Sequence, residues 1–229
     1  MEGILREYSE LLAAVDHWFG RCVAHVGSRI HCSAGCSACC RGLFDITLLD
    51  AALLKQGFNR LAEGPRHQVL ARCRERLAEL QRLWPGFDAP YLLNDRPEAD
   101  WEALMPDEDE TPCPLLGDDG KCLVYDYRPM TCRLHGLPLI DLSGEVMHDE
   151  WCSLNYPDED PLSDTRLTGD FEHFFRQEAQ LIRCYAIQIL GREFRELDTL
   201  IPTALLIDFD RFDWRAFAAT FSPYRETHQ

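Results

Sequence analysis

"CSAGCSACC", residues 32–40, sets four cysteines within nine positions, the last two adjacent, among alanine, serine and glycine. Neither a helical nor a strand period produces that pattern, so the stretch interrupts regular structure. Side chains this small let backbone amides turn toward sulfur and let several sulfurs converge on a metal. Upstream, Ile4, Tyr8, Leu11, Val15, Trp18, Cys22 and Val26 recur at steps of three and four and predict a helix over 4–26. Downstream, "LFDITLLDAALLKQG" (43–57) opens as a β-compatible run and turns helical. Val69, Cys73, Leu77, Leu80 and Trp84 share one face of a helix over 66–84, which Pro85-Gly86 ends. Residues 87–112 are rich in proline and acid without a sustained period and read as a long surface excursion.

A second cysteine-rich region, "CPLLGDDGKCLVYDYRPMTCRLHG" (113–136), carries the turn signal Asp118-Asp119-Gly120 between apolar runs and predicts a hairpin. "LPLIDLSGEVMHDEWC" (137–152) repeats the arrangement around Ser143-Gly144. Phe171, Phe174, Phe175, Leu181, Ile182, Tyr185 and Ile189 predict a helix over 170–190, and 194–221 adds one or two shorter ones. The expected fold is mainly α with small irregular β-hairpins, a helical domain organised around a cysteine-rich metal-binding core. Residues 1–229 are expected to form a single domain, with the cysteine-cluster region at 30–152 and a C-terminal helical region, 153–229, packing on it.

Composition narrows the function. Charged residues scattered through Met1 to Val26 exclude a signal-peptide core, and no run approaches roughly 18 uncharged apolar residues, so no membrane span is expected. The reading is cytoplasmic, where thiols stay reduced and clustered cysteines bind metals or do chemistry. The odd total of eleven cysteines also argues against a fully paired disulfide framework. A formal charge of −16 opposes binding to nucleic acid and to anionic lipid. The acidic runs Glu98 to Asp119 and Glu145 to Asp164 read as solvated surface, with docking of a basic protein partner as the alternative.

Cys22, Cys73 and Cys184 fall inside amphipathic helices and are expected to pack as small apolar side chains. The other eight, Cys32, Cys36, Cys39, Cys40, Cys113, Cys122, Cys132 and Cys152, sit among turn residues and are the expected metal ligands. Eight is twice the ligand count of a tetrahedral zinc site or a cubane iron–sulfur cluster. The C-x3-C-x2-C spacing also matches the triplet of radical enzymes that use S-adenosylmethionine, but the chain lacks their repeated βα units. Adjacent Cys39 and Cys40 are expected to diverge and to face two centres or two iron corners of one cluster.

Taken together, "CSAGCSACC", "CPLLGDDGKCLVYDYRPMTCR" and the later Cys152 give a chain that resembles the bacterial cysteine-cluster proteins of the YkgJ type, described as carrying a zinc- or iron-chelating domain. The resemblance covers about residues 30–152 and implies a [4Fe–4S] cluster, Zn2+, or both, in one or two centres. One branch includes the flagellin lysine methylases, which implies methyl transfer from S-adenosylmethionine as the enzymatic alternative to a structural, electron-carrying or metal-handling role. No glycine-rich nucleotide loop follows a strand here. Thiolates around a metal leave net negative charge, so Arg41, Arg128 and Arg133 are expected to offset it or to donate to sulfur, as is Lys121. His31, His135 and His148 stand near ligands in sequence and are the substitutes should a cysteine fail to reach the metal. Zinc and iron–sulfur remain equally compatible with the spacing, with a lean toward at least one cluster from the methylase resemblance and the adjacent cysteine pair.

Overall fold

The computed structural model describes residues 2–33, 35–106 and 108–221. Helix α1, Glu2–Val26, buries Tyr8, Leu11, Val15, Trp18, Cys22 and Val26, the stripe that the sequence spacing predicts. A 3-10 turn, Gly27–Arg29, leads into the first cysteine loop. Strand β1, Asp45–Thr47, runs directly into α2, Leu48–Asn59, where Thr47 caps the helix by accepting from the Asp50 amide at 3.0 Å. Helix α3, Glu63–Leu83, buries Val69, Cys73 and Leu80. The short α4, Glu98–Glu102, and α5, Met130–Leu134, follow, then the hairpin of β2, Leu139–Ile140, and β3, Val146–His148. Helix α6, Phe171–Leu190, precedes β4, Asp198–Leu200, and the chain closes with α7, Ile201–Ala204, and α8, Trp214–Thr220. The fold is mainly α with two small antiparallel two-stranded sheets, as the sequence predicts.

The core forms where α1 lies against α6, α5 and α2. Trp18 donates to the Leu167 carbonyl at 2.9 Å and meets Phe171 edge-on at 4.9 Å, which fixes the approach to α6. Gly57 of α2 lies under the Tyr127 ring, where a Cβ would come within 2.4 Å of that ring. Only glycine permits this contact, and it seats the 3-10 turn Tyr125–Tyr127 just ahead of α5. The strand β1 pairs with β4, Ile46 opposite Thr199, and ties the segment after the first cysteine loop to the far end of the chain.

Three expectations need correction. The 113–136 hairpin reduces to a single bridge, Leu116 to Cys122, followed by the 3-10 turn and α5. Only Gly117 N to Lys121 O and Leu123 N to Leu115 O cross between the two runs, and Pro114 has no amide to extend the pairing. The 87–112 segment is more than a surface excursion: Phe87, Leu93 and Leu104 form a second small core with Leu43, Leu80, Trp84 and Leu200. Cys184 is exposed rather than packed, because it lies at the outer edge of the α6 stripe beside Ile187 and Gln188. Cys22 and Cys73 are buried, as expected, and the 137–152 hairpin forms around its Ser143-Gly144 turn.

Candidate metal centre

Four segments bring the eight cysteines together, and each is shaped by a few backbone bonds. The first loop makes two successive turns, with Cys36 N donating to Ser33 O and Cys40 N to Ser37 O, both at 3.0 Å. It is then zipped to the second segment: Cys113 N donates to Cys40 O at 2.9 Å and Gly42 N to Thr111 O at 2.8 Å, around a bridge of Arg41 with Pro112. In the second segment the Asp118-Asp119-Gly120 turn closes with Gly117 N on Lys121 O at 2.8 Å, which sets Cys122 near Cys113. The backbone amides two residues on, Leu115 and Val124, face these sulfurs and favour their thiolate forms. Cys132 comes from α5, whose Met130 amide donates to the buried Asp50 carboxylate at 3.1 Å. Cys36, Cys39, Cys40, Cys113, Cys122 and Cys132 all line one cavity of about 260 Å³.

Cys32 and Cys152 meet on either side of Gly136. A Cβ there would stand 3.3 Å from the Cys32 sulfur and 4.0 Å from the Cys152 Cβ, and the backbone φ of +110° is one that glycine favours. The fully buried Asn155 joins them: its Nδ2 donates to Cys32 Sγ at 3.4 Å and to Gly136 O at 2.6 Å, and its Oδ1 accepts from His31 N at 2.8 Å. Its own amide donates to Cys152 O at 2.8 Å.

Electrostatics divide the thiols. Cys40 feels Cys113, Cys132 and Cys122, Cys32 feels Cys152, Cys36 and Cys39, and Cys113 feels Cys39 as well. The sets touch at the adjacent pair, whose thiols perturb one another: Cys40 raises the pKa of Cys39, and Cys39 lowers that of Cys40. Burial pushes Cys113 up to about 11 and raises Cys32, Cys122 and Cys132 as well. These sulfurs are protonated thiols in the absence of a cation, and a metal that binds them releases protons. Among the described residues, no three Cys, His, Asp or Glu side chains stand close enough to clasp a single metal ion.

The basic residues take different positions. Arg128 lines the cysteine cavity, stacks on Tyr125 with its guanidinium carbon 3.6 Å from the ring centre, and pairs with Asp16 at 3.3 Å. Arg133 is buried and points away from the sulfurs, donating to Arg128 O at 2.9 Å and Asp126 O at 2.8 Å while pairing with Asp16. Arg41 is exposed and pairs with Glu110 at 3.4 Å, and Lys121 stands at the cavity with Asp119 3.7 Å away. His31 is exposed, His135 lines both the cysteine cavity and a larger neighbouring one, and His148 lines only the latter. Asn155, Gly136 and Asp16 shape the site without any sequence signal that singles them out. Asn155 carries only the weak hint of following Cys152 by three residues.

A family model named CxxCxxCC and described as "Putative zinc- or iron-chelating domain" matches residues 31–153, a span that holds all eight clustered cysteines. No curated protein and no solved structure matches the chain.

Proposed function

The chain belongs to the CxxCxxCC family, whose cysteine cluster binds metal, and from that premise we propose that its eight thiolates hold two centres. Cys40, Cys113, Cys122 and Cys132 form one, Cys32, Cys36, Cys39 and Cys152 the other, with the adjacent pair as the seam. The electrostatic neighbours of Cys32 and of Cys40 support this division, with Cys39, which also acts on Cys113, shared at the seam. At least one centre is a [4Fe–4S] cluster. The observation that carries this reading is the breadth of the site: Cys36, Cys39, Cys40, Cys113, Cys122 and Cys132 surround a cavity of about 260 Å³. A tetrahedral zinc with bonds of about 2.3 Å requires sulfurs about 3.8 Å apart, whereas a cluster places iron and sulfide between its thiolates. Arg128 offsets thiolate charge from the cavity wall, Arg133 braces the Arg128 loop through Asp16, and Arg41 flanks the seam.

The role is structural or electron-carrying, in one domain where residues 153–229 brace the cysteine region, and in a reducing compartment suited to free thiols. Anaerobic purification followed by iron, sulfide and zinc quantification tests it. Broad visible absorption with iron and sulfide in equal amounts is expected, and a colourless protein with two equivalents of zinc overturns the iron–sulfur reading. Methyl transfer from S-adenosylmethionine is the second reading. The larger cavity that shares Phe44 and His135 with the cysteine cavity favours it, because it sets room for a substrate beside the centre. Calorimetric titration of the metal-loaded protein with S-adenosylmethionine decides it: saturable heat supports the enzyme, and a flat trace removes it.

A further inference from the structure

The larger cavity, about 640 Å³, lies where β1, α2, α5, α6, β4 and the β2–β3 hairpin meet, and its charge is one-sided. Asp45, Asp50, Glu150, Glu178 and Asp198 line it, the imidazoles of His135 and His148 stand near Glu150, and no lysine or arginine lines it among the described residues. Among the described residues, none of the five forms a salt bridge, although acids elsewhere do, as Asp16 does with Arg128. The acids occupy different depths. Asp50 is only 3% exposed, Glu178 and Asp198 are half-buried, and Asp45 and Glu150 are exposed at the rim.

At the floor, neutral donors already engage Asp50: Tyr8 at 2.7 Å, the Met130 amide at 3.1 Å and Thr47 at 3.3 Å. Glu178 Oε1 lies 2.9 Å from the same Tyr8 hydroxyl, whose single proton it shares with Asp50. Asp198 accepts from Asn94 at 2.7 Å. Burial and mutual repulsion raise Glu178 to about 8 and Asp198 to about 7, the cost of gathering carboxylates without a cation. The walls between floor and rim are apolar and aromatic: Phe44, Phe175, Trp151 and Leu139. A hard divalent ion gains nothing from such walls, and no three donors here reach single-ion spacing. A chain of methylenes with ammonium groups at intervals matches both features, its stem on the aromatic walls and its charges on acids at two depths.

We propose that this cavity binds a linear aliphatic diamine or polyamine, with one ammonium group at Glu178 and Asp198 and another at Glu150 and Asp45 near the mouth. The site stands whichever metal the cysteines hold. Titration calorimetry of the metal-loaded full chain at about 0.15 M salt, where exposed charges are screened, tests it with 1,5-diaminopentane and spermidine. One-to-one saturable binding is expected, with 1,5-pentanediol silent. Glu178→Gln and Asp198→Asn each weaken it about tenfold, the loss of one charge-assisted bond. Glu150→Gln, at an exposed position that does not threaten folding, weakens it about threefold, a fraction of that bond. Glu108→Gln, on the surface elsewhere, leaves it unchanged. Absence of saturable amine binding, equal binding of the diol, or equal affinity in Glu178→Gln, Asp198→Asn and Glu150→Gln overturns the proposal. Competition by Mg2+, Ca2+ or S-adenosylmethionine for the same carboxylates overturns it as well.

Discussion

The α1–α6 face and the cysteine loops reach order by opposite routes. Along α1 and α6 a repeating apolar stripe buries Tyr8, Val15, Trp18, Phe171, Ile182 and Tyr185, and many equivalent contacts share the stabilisation. In the loops no stripe exists, and a few named bonds hold the shape: Cys113 N to Cys40 O, and Asn155 Nδ2 to Gly136 O and to Cys32 Sγ. The first kind of order is intrinsic to the chain and degrades gradually. The second depends on single groups and on what the sulfurs bind.

The sharpest way to break the comparison is to remove the metal. Chelation, or Cys113→Ser, is expected to cost most, since metal held by structural thiolates contributes on the order of 10 kcal/mol to folding. Metal content falls and the loop thiols become reactive to alkylation while most of the helical circular dichroism persists. Collapse of the helices would show that the two regions share one source of order. Cys22→Ser and Cys184→Ser keep the metal, and Cys184 is alkylated even in the folded protein because it is exposed.

Next in size, Trp18→Ala removes the aromatic that joins α1 to α6 and is expected to lower stability by about 3–5 kcal/mol, without changing metal stoichiometry in the folded fraction. Urea unfolding and elemental analysis read the two effects separately. Asn155→Leu reverses the pattern: a loss of about 1–3 kcal/mol from stranded polar groups, with metal retention impaired at the Cys32 side. An Asn155→Leu protein with full metal occupancy would show that Asn155 only supports the loop.

The last effect depends on pH. Glu178 holds its proton up to about pH 8 in the folded chain, against an ordinary value of 4.5. The folded state therefore binds more protons than the unfolded state between those values, and the stabilisation present at pH 4.5 is lost as pH rises toward 8. Glu178→Gln removes this loss. It is expected to lie within about 1 kcal/mol of the natural chain at pH 5 and to gain on it as pH rises to 8, at up to about 1.4 kcal/mol per pH unit. Equal slopes for both proteins in urea unfolding at the two pH values would refute it.

The same contrast explains what the sequence made legible. The helices announced themselves because periodic burial is written locally, residue after residue, as in the α1 stripe. The cysteines announced themselves as donors by type and spacing, and the family match bears out the metal-binding region. Their surroundings did not. The β1–β4 pairing joins three-residue strands, with Asp45 opposite Leu200, too short for a period and too distant for a turn signal. Asn155 and Asp16 are ordinary polar residues until folding sets one against Cys32 and the other between Arg128 and Arg133. Cys184 misled because spacing from Leu181 does not say which side of the stripe faces water.

The ladder that joins Cys40 to Cys113 also makes the chain between them a closed loop, with both ends fastened at one neck. Closing a loop of roughly seventy residues is only slightly costlier than closing one half as long, by about 0.6 kcal/mol. Insertions or deletions at exposed positions within that loop, such as the stretch around Pro106, therefore leave the spacing of the neck cysteines unchanged. Homologous chains can differ in length there while the sulfurs on either side of the neck stay in register.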